Sequence, residues 1–384
     1  MKEKVREKQM KALILSCNTG QGHNAAGKAI LENLTQRGIA CEMADALAFA
    51  GDKVSKITSD TYVKIATASP SVFHFLYKAG DRISSDKHKS IVYLANSRYA
   101  EPMYRYITEN RFDTVLTPHL FPAETLTYLK RKRGLSINTF AVATDYTCIP
   151  FWEETNLDSY FIPHRDLIEE FREKGIPAEK LIPTGIPVSK CFRDSMEQPR
   201  AKRQLGYKEE ERFLLVMTGS MGFGNVKELT SSLLQKFPES VKIVVLGGNN
   251  EKMKQGLRAS FETERVQVMD FTNQVSLFMD ACDLLFTKPG GLTSTEAAVK
   301  NVPFLHTAPI PGCETINAAF FEERGLSICA EKPEDLSNMA YSLWTDREKR
   351  NRMRENQRRE INPNACDDIC DFIIKQAESR ESLR

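Results

Sequence analysis

Net charge, paired cysteines and long apolar runs are all scarce in this 384-residue chain. A formal net charge of +2 leaves no basic excess to release counterions from a polyanion, so no nucleic-acid partner is expected. The nine cysteines (Cys17, Cys41, Cys148, Cys191, Cys282, Cys313, Cys329, Cys366, Cys370) are odd in number and contain no CxxC pair. That indicates neither a disulfide framework nor a zinc site, and free thiols in a reducing cytosol are expected. No stretch reaches ~18 apolar residues, so no membrane-spanning helix is expected. The first strand candidate, Ala12–Ser16, is too short for a signal peptide, and any membrane contact would be peripheral. GxGxxG is missing, and no acidic residue closes a clear second strand, which disfavours a dinucleotide site. No Asp-x-Asp stands at a strand end, so no catalytic metal is expected.

What is present is an ordinary globular composition, 41% hydrophobic and 27% charged, at a length for about two domains. Short apolar strands alternate with helical stretches, which predicts an α/β class with parallel sheets. Strand candidates are 11–16, 113–117, 138–143, 159–162 and 181–184, then 212–218, 241–246, 265–269, 283–286 and 302–306. Each set makes about one doubly wound domain. Thr184-Gly-Ile-Pro-Val188 reads as the hinge between them, and the tail from Pro333 reads as helical and charged.

The motifs sit at strand ends. Gly20-Gln-Gly-His23 follows the first strand and precedes a helix predicted over Asn24–Thr35. Its glycines allow close backbone approach, and the helix N-terminus favours an anion. His23 either meets a substrate or caps its helix. Thr218-Gly-Ser-Met-Gly-Phe-Gly224 is a second glycine-rich strand-to-helix loop, suited to a diphosphate. Thr287-Lys-Pro-Gly-Gly-Leu-Thr-Ser-Thr-Glu296 follows the apolar run Cys282–Phe286. Thr293, Ser294 or Thr295 is expected to cap a helix starting near Glu296, whose carboxylate could hold a ribose diol. Leu246-Gly-Gly-Asn-Asn250 and Val268-Met-Asp-Phe-Thr-Asn273 end two more strands at that edge, where Phe271 backbone groups could pair with a base or simply turn the chain. In the first half, Thr117-Pro-His-Leu120 and Ala143-Thr-Asp-Tyr146 place His119 and Asp145 at strand ends.

Between Gly51 and Asn110 aromatic and basic residues interleave. From Asp60 to Arg133 there are twelve Lys and Arg, seven Asp and Glu, and eleven Phe and Tyr. Such helices either lie on an anionic bilayer or form a helical subdomain with a solvated charged face.

With Pro183-Thr-Gly-Ile-Pro-Val188 and Pro311-Gly-Cys-Glu-Thr-Ile-Asn317, these motifs in this order resemble the glycolipid glycosyltransferases of monogalactosyldiacylglycerol synthase and the processive diacylglycerol glucosyltransferases. A more distant resemblance is to the N-acetylglucosaminyltransferase of peptidoglycan-precursor synthesis. The resemblance runs from about Lys11 to Leu326. It implies a GT-B arrangement, two Rossmann-like domains facing across a cleft, with residues 1–187 the acceptor and membrane-facing domain and 188–360 the UDP-sugar domain. Residues 361–384 would form a C-terminal helix and tail able to pack back on the first domain.

The activity implied is inverting transfer of a hexose from UDP-glucose or UDP-galactose to a diacylglycerol-type acceptor. It would take place peripherally on the anionic inner face of the cell membrane, with no cofactor beyond the donor. Another lipid-linked acceptor, or a non-catalytic nucleotide-sugar sensor, are the alternatives. On the donor side stand Gly219, Ser220, Gly222, Phe223, Gly224, Asn249, Phe271, Thr272, Lys288, Gly290, Gly291, Thr293, Glu296, Glu314 and Asn317. On the acceptor side stand Gly20, Gly22, His119 and Tyr146, with His23 or Asp145 as the base. Many relatives carry Gln where Cys313 stands, which leaves glucose or galactose open. Many also carry a histidine after Asp145, where this chain has Thr147-Cys-Ile-Pro150.

Overall fold

The computed structural model describes residues 10–18, 21–51, 89–217, 225–261 and 264–381. The chain divides into two compact units, Met1–Ser189 with Asn364–Arg384, and Lys190–Pro363.

In the first unit, β1 (Lys11–Ser16), β2 (Ala40–Asp45), β3 (Thr114–Thr117), β4 (Asn138–Val142), β5 (Ser159–Phe161) and β6 (Leu181–Ile182) form one sheet, in the order β2-β1-β3-β4-β5-β6. Every pairing is parallel. The central strands are buried throughout, as near-continuous apolar runs require when helices cover both faces. One core joins Ala12, Ile14, Leu116, Phe140, Val142 and Phe161 to Ala29, Ile30 and Leu34 of the helix Gln21–Gln36. The helix Ala365–Glu381 completes that core with Cys366, Ile369, Cys370 and Ile373.

β2 was not expected. Ala-Cys-Glu-Met-Ala-Asp has no apolar run because β2 is an edge strand, with one residue exposed or half-buried after another. This corrects the expectation that no acidic residue closes a second strand: Asp45 does. Its carboxylate is already engaged, accepting from the Leu47 N–H at 3.0 Å and from the Asn18 amide at 2.9 Å.

The second unit repeats the plan. β7 (Arg212–Met217), β8 (Val241–Leu246), β9 (Val266–Met269), β10 (Leu284–Thr287), β11 (Phe304–His306) and β12 (Ile328–Cys329) pair in the order β12-β11-β10-β7-β8-β9. In each unit the chain leaves its first strand in one direction and later returns to that strand's other side. The reversal falls between β1 and β3 in one sheet and between β7 and β10 in the other. A ligand crevice opens at such a point, beyond the carboxyl ends of the strands.

Two helix starts also differ from expectation. The first helix begins at Gln21 rather than Asn24, so His23 lies in its first turn. The helix after β10 begins at Gly291 with Gly290 as its cap, in extended conformation (φ −74°, ψ 137°). Thr293, Ser294 and Thr295 therefore lie inside this helix, and Glu296 falls in its second turn. The Thr295 hydroxyl bonds back to the Gly291 carbonyl at 2.7 Å instead of capping. Among the described residues no helix is long and apolar enough to cross a membrane.

Candidate active site

In the first unit, at the reversal between β1 and β3, three strand ends meet around His23. Its Nδ1 lies 2.9 Å from the Pro118 carbonyl, after β3, and 2.9 Å from the Thr144 hydroxyl, after β4. A carbonyl can only accept, so Nδ1 carries the ring proton and Nε2 keeps the lone pair. Burial lowers the His23 pKa, partly offset by the charge of Asp145 and by the Pro118 carbonyl. The imidazole is therefore neutral at pH 7.

His119 stands edge-on to it, ring centroids 4.7 Å apart. The His119 Nδ1 accepts from the Phe121 N–H at 3.1 Å, capping the helix Leu120–Arg133, so its proton sits on Nε2. Burial, and then the neighbouring His23, push its pKa well down. Two neutral imidazoles of opposite tautomer thus stand together, one with a lone pair and one with an N–H on Nε2.

Asp145 is half-buried beside them, Gly22 is in the first helical turn, and Tyr146 is fully buried. Gly20 lies outside the described residues. Sequence reasoning missed Glu170, whose carboxylate accepts from the Thr147 hydroxyl and, at 2.8 Å, from the Cys148 N–H. That clamp fixes the loop carrying Asp145. Glu170 sits in a charged helical stretch with no local mark of the role.

In the second unit the turn Lys288–Gly291 joins β10 to its helix. The Asn317 amide donates to the Pro289 carbonyl at 3.1 Å, tying the turn to the helix Cys313–Glu323. Glu314 lies on the same helix. Its carboxylate accepts from the Ile310 N–H at 2.8 Å and stands 3.8 Å from the Lys288 ammonium. Burial lowers the Lys288 pKa, opposed by Glu314.

Gly290 has an ordinary φ, and a Cβ built on it would meet nothing within 4 Å among the described residues. Neither backbone strain nor packing among the described residues asks for glycine there. Glu296 is buried, and desolvation alone pushes its carboxyl up to about 8, so it holds a proton at pH 7.

Thr293 is half-buried on the Glu296 helix. Asn249 and Phe271 are exposed after β8 and β9, and the Thr272 hydroxyl accepts from the Gln274 N–H at 3.0 Å. Gly219, Ser220, Gly222, Phe223 and Gly224 lie outside the described residues.

Residues 23–188 match the monogalactosyldiacylglycerol (MGDG) synthase family and residues 198–360 match glycosyl transferases group 1. Along both units the chain is similar to the glycolipid glycosyltransferases of the MGDG synthase and processive diacylglycerol glucosyltransferase family. It is 28% identical over 373 residues to a processive diacylglycerol β-glucosyltransferase of Bacillus subtilis, covering 96% of each chain. The enzyme of the same description from Bacillus pumilus is 29% identical over 374 residues, covering 96% of this chain and 95% of that one. The crystal structure of MurG from Acinetobacter baumannii superposes with a TM-score of 0.63 at 17% identity, covering 95% of this chain and 99% of that one. This glycosyltransferase therefore has the GT-B fold, each half a Rossmann-like unit.

Proposed function

We propose that this glycosyltransferase moves a hexose from a UDP-sugar to diacylglycerol or a glycosyldiacylglycerol, with inversion at the anomeric carbon. The observation that carries the reading is His23, a neutral imidazole whose Nδ1 proton is tied to the Pro118 carbonyl. Its Nε2 would take the proton of the acceptor hydroxyl while the hydroxyl oxygen bonds to the anomeric carbon. The bond from that carbon to the diphosphate breaks, and its electron pair leaves with UDP. Asp145 stabilises the imidazolium that results, and Thr144 with Pro118 holds the ring's orientation. His119, edge-on to His23, would help hold that ring in place.

On the donor side, Gly290 leaves room for a phosphate at the helix N-terminus, and Lys288 brings positive charge beside it. Glu296, as a neutral acid, would both donate to and accept from the ribose diol. Glu314 and Asn317 would face the hexose, and Phe271 with Thr272 the base. The relatives described as diacylglycerol β-glucosyltransferases favour glucose as the sugar.

A peripheral stance on an anionic, inner-face membrane belongs to the same proposal. Exposed Leu94, Arg98, Arg131, Lys132 and Arg133 are its described support. Tyr93, Tyr99 and Phe112 are buried and serve packing instead. Residues 52–88 of the aromatic–basic stretch lie outside the described residues.

The test is transfer of label from UDP-glucose or UDP-galactose into diacylglycerol-containing vesicles. Label in lipid is expected from one donor. Donor binding without transfer to this lipid would contradict the reading and move the weight to another acceptor or to a sensor.

A further inference from the structure

One buried histidine has no part in this chemistry. His306 ends β11 with no exposed surface. Its Nε2 lies 2.9 Å from the Ser294 hydroxyl and its Nδ1 3.1 Å from the Ser327 hydroxyl, both serines themselves buried. Desolvation pushes its pKa down to about 3. The ring therefore stays neutral, with one N–H and one lone pair, so one serine donates to it and the other accepts. Both ring nitrogens are engaged, and rotation about χ2 would break both bonds.

The position of this chain of bonds gives it a function. Ser294 lies two residues before Glu296 on the helix that opens at Gly290. The other face of the imidazole's surroundings is aromatic: Phe304 is edge-on at 5.1 Å and Phe321 at 5.6 Å. Phe321 belongs to the helix Cys313–Glu323, which carries Glu314 and Asn317. One side chain thus touches both helices on which the described donor-facing residues after β10 ride. A hydrogen bond fixes the register of the first helix against β11 in a way that apolar packing, being non-directional, does not.

We propose that His306 is a positioning residue for the nucleotide donor. Through Ser294 it sets where Glu296 and the Gly290 cap stand, and through Phe321 it sets the helix bearing Glu314 and Asn317. The inference rests on the donor site proposed above.

The test is calorimetric titration of UDP into the full chain, for wild type, His306→Phe, His306→Gln, Ser294→Ala and Glu296→Ala. Calorimetry separates the two roles: loss of folded protein lowers the number of sites, whereas misplacement raises Kd at an unchanged number. His306→Phe is expected to raise Kd about 10-fold and Ser294→Ala several-fold, both with about one site per chain. His306→Gln, which keeps a donor and an acceptor, should recover part of the loss. If Glu296→Ala weakens UDP binding while Ser294→Ala and His306→Phe lower only the site number, the positioning role is overturned and the donor site stands. If Glu296→Ala leaves Kd unchanged, the donor site and this inference fall together.

Discussion

At the scale of single residues, Gly290 separates what the fold needs from what a ligand needs. Most of the positive-φ glycines, such as Gly312 (φ 128°), are there because an L side chain would be strained. Gly290 has φ −74° and, among the described residues, open space where a Cβ would go. Gly290→Ala is therefore expected to leave the unfolding free energy within about 0.5 kcal/mol of wild type. It should nonetheless weaken UDP binding about 10-fold or more, read by calorimetry beside a thermal melt. Equal and unaltered binding would remove the case for a phosphate at this turn. His23 was conspicuous in the sequence because it follows two glycines at a strand end. Its partners were not: the Pro118 carbonyl and the Thr144 hydroxyl arrive from 95 and 121 residues away. Glu170 and His306 carry no local mark either, because their partners come from other elements, 12 to 23 residues away.

At the scale of elements, apolar content decided what was legible. β10 and its Pro-Gly-Gly turn could be read because a short buried strand ends abruptly in residues that turn the chain. β2 could not, because an edge strand buries little and so carries mixed residues. The helix after β10 was expected to begin at its hydroxyl-bearing residues, yet it starts earlier, where Gly290 itself takes the extended cap conformation. The last helix shows an element placed by packing rather than by sequence neighbours. Ile369 and Ile373 are fully buried among Ile14, Ile30, Phe140 and Phe161. The Arg380 guanidinium reaches Asn138 at 3.0 Å and Ser136 at 2.8 Å. Ile369→Ala is expected to lower the stability of the first unit by about 2–5 kcal/mol, as a large-to-small change in a core does, measured by urea unfolding. A loss below about 1 kcal/mol would mean the helix is peripheral to that core.

At the scale of the whole molecule, buried titratable groups shape stability against pH. His23, His119 and His306 all have pKa values below the ordinary histidine value. Below about pH 6.5 the unfolded chain binds protons that these rings refuse, so stability falls as pH falls. Glu124 and Glu296 are both pushed up to about 8, chiefly by burial. Between about pH 4.5 and 8 the folded chain keeps protons that the unfolded chain has lost, so these two withdraw stability as pH rises. The opposing slopes predict a thermal midpoint that peaks near about pH 6.5, and Glu124→Gln should flatten the decline on the alkaline side. A midpoint still rising from pH 6.5 to 8 would show that the carboxyls are ionised in the folded state. The duplicated plan of two doubly wound domains was legible from alternating strands and glycine-rich turns, while the strand order was not. What those turns hold in place was not, because the holding groups come from other strands.

The central claim is that His23 takes the acceptor's proton in a hexosyl transfer to lipid. The most direct measurement follows label from UDP-glucose and UDP-galactose into diacylglycerol vesicles with wild type and with His23→Ala, alongside UDP affinity for both. The account predicts lipid label from one donor with wild type, and a loss of turnover of about 10²–10⁴-fold in the variant. UDP affinity should stay within about twofold. Turnover that survives His23→Ala, or that falls only in step with UDP binding, would contradict it.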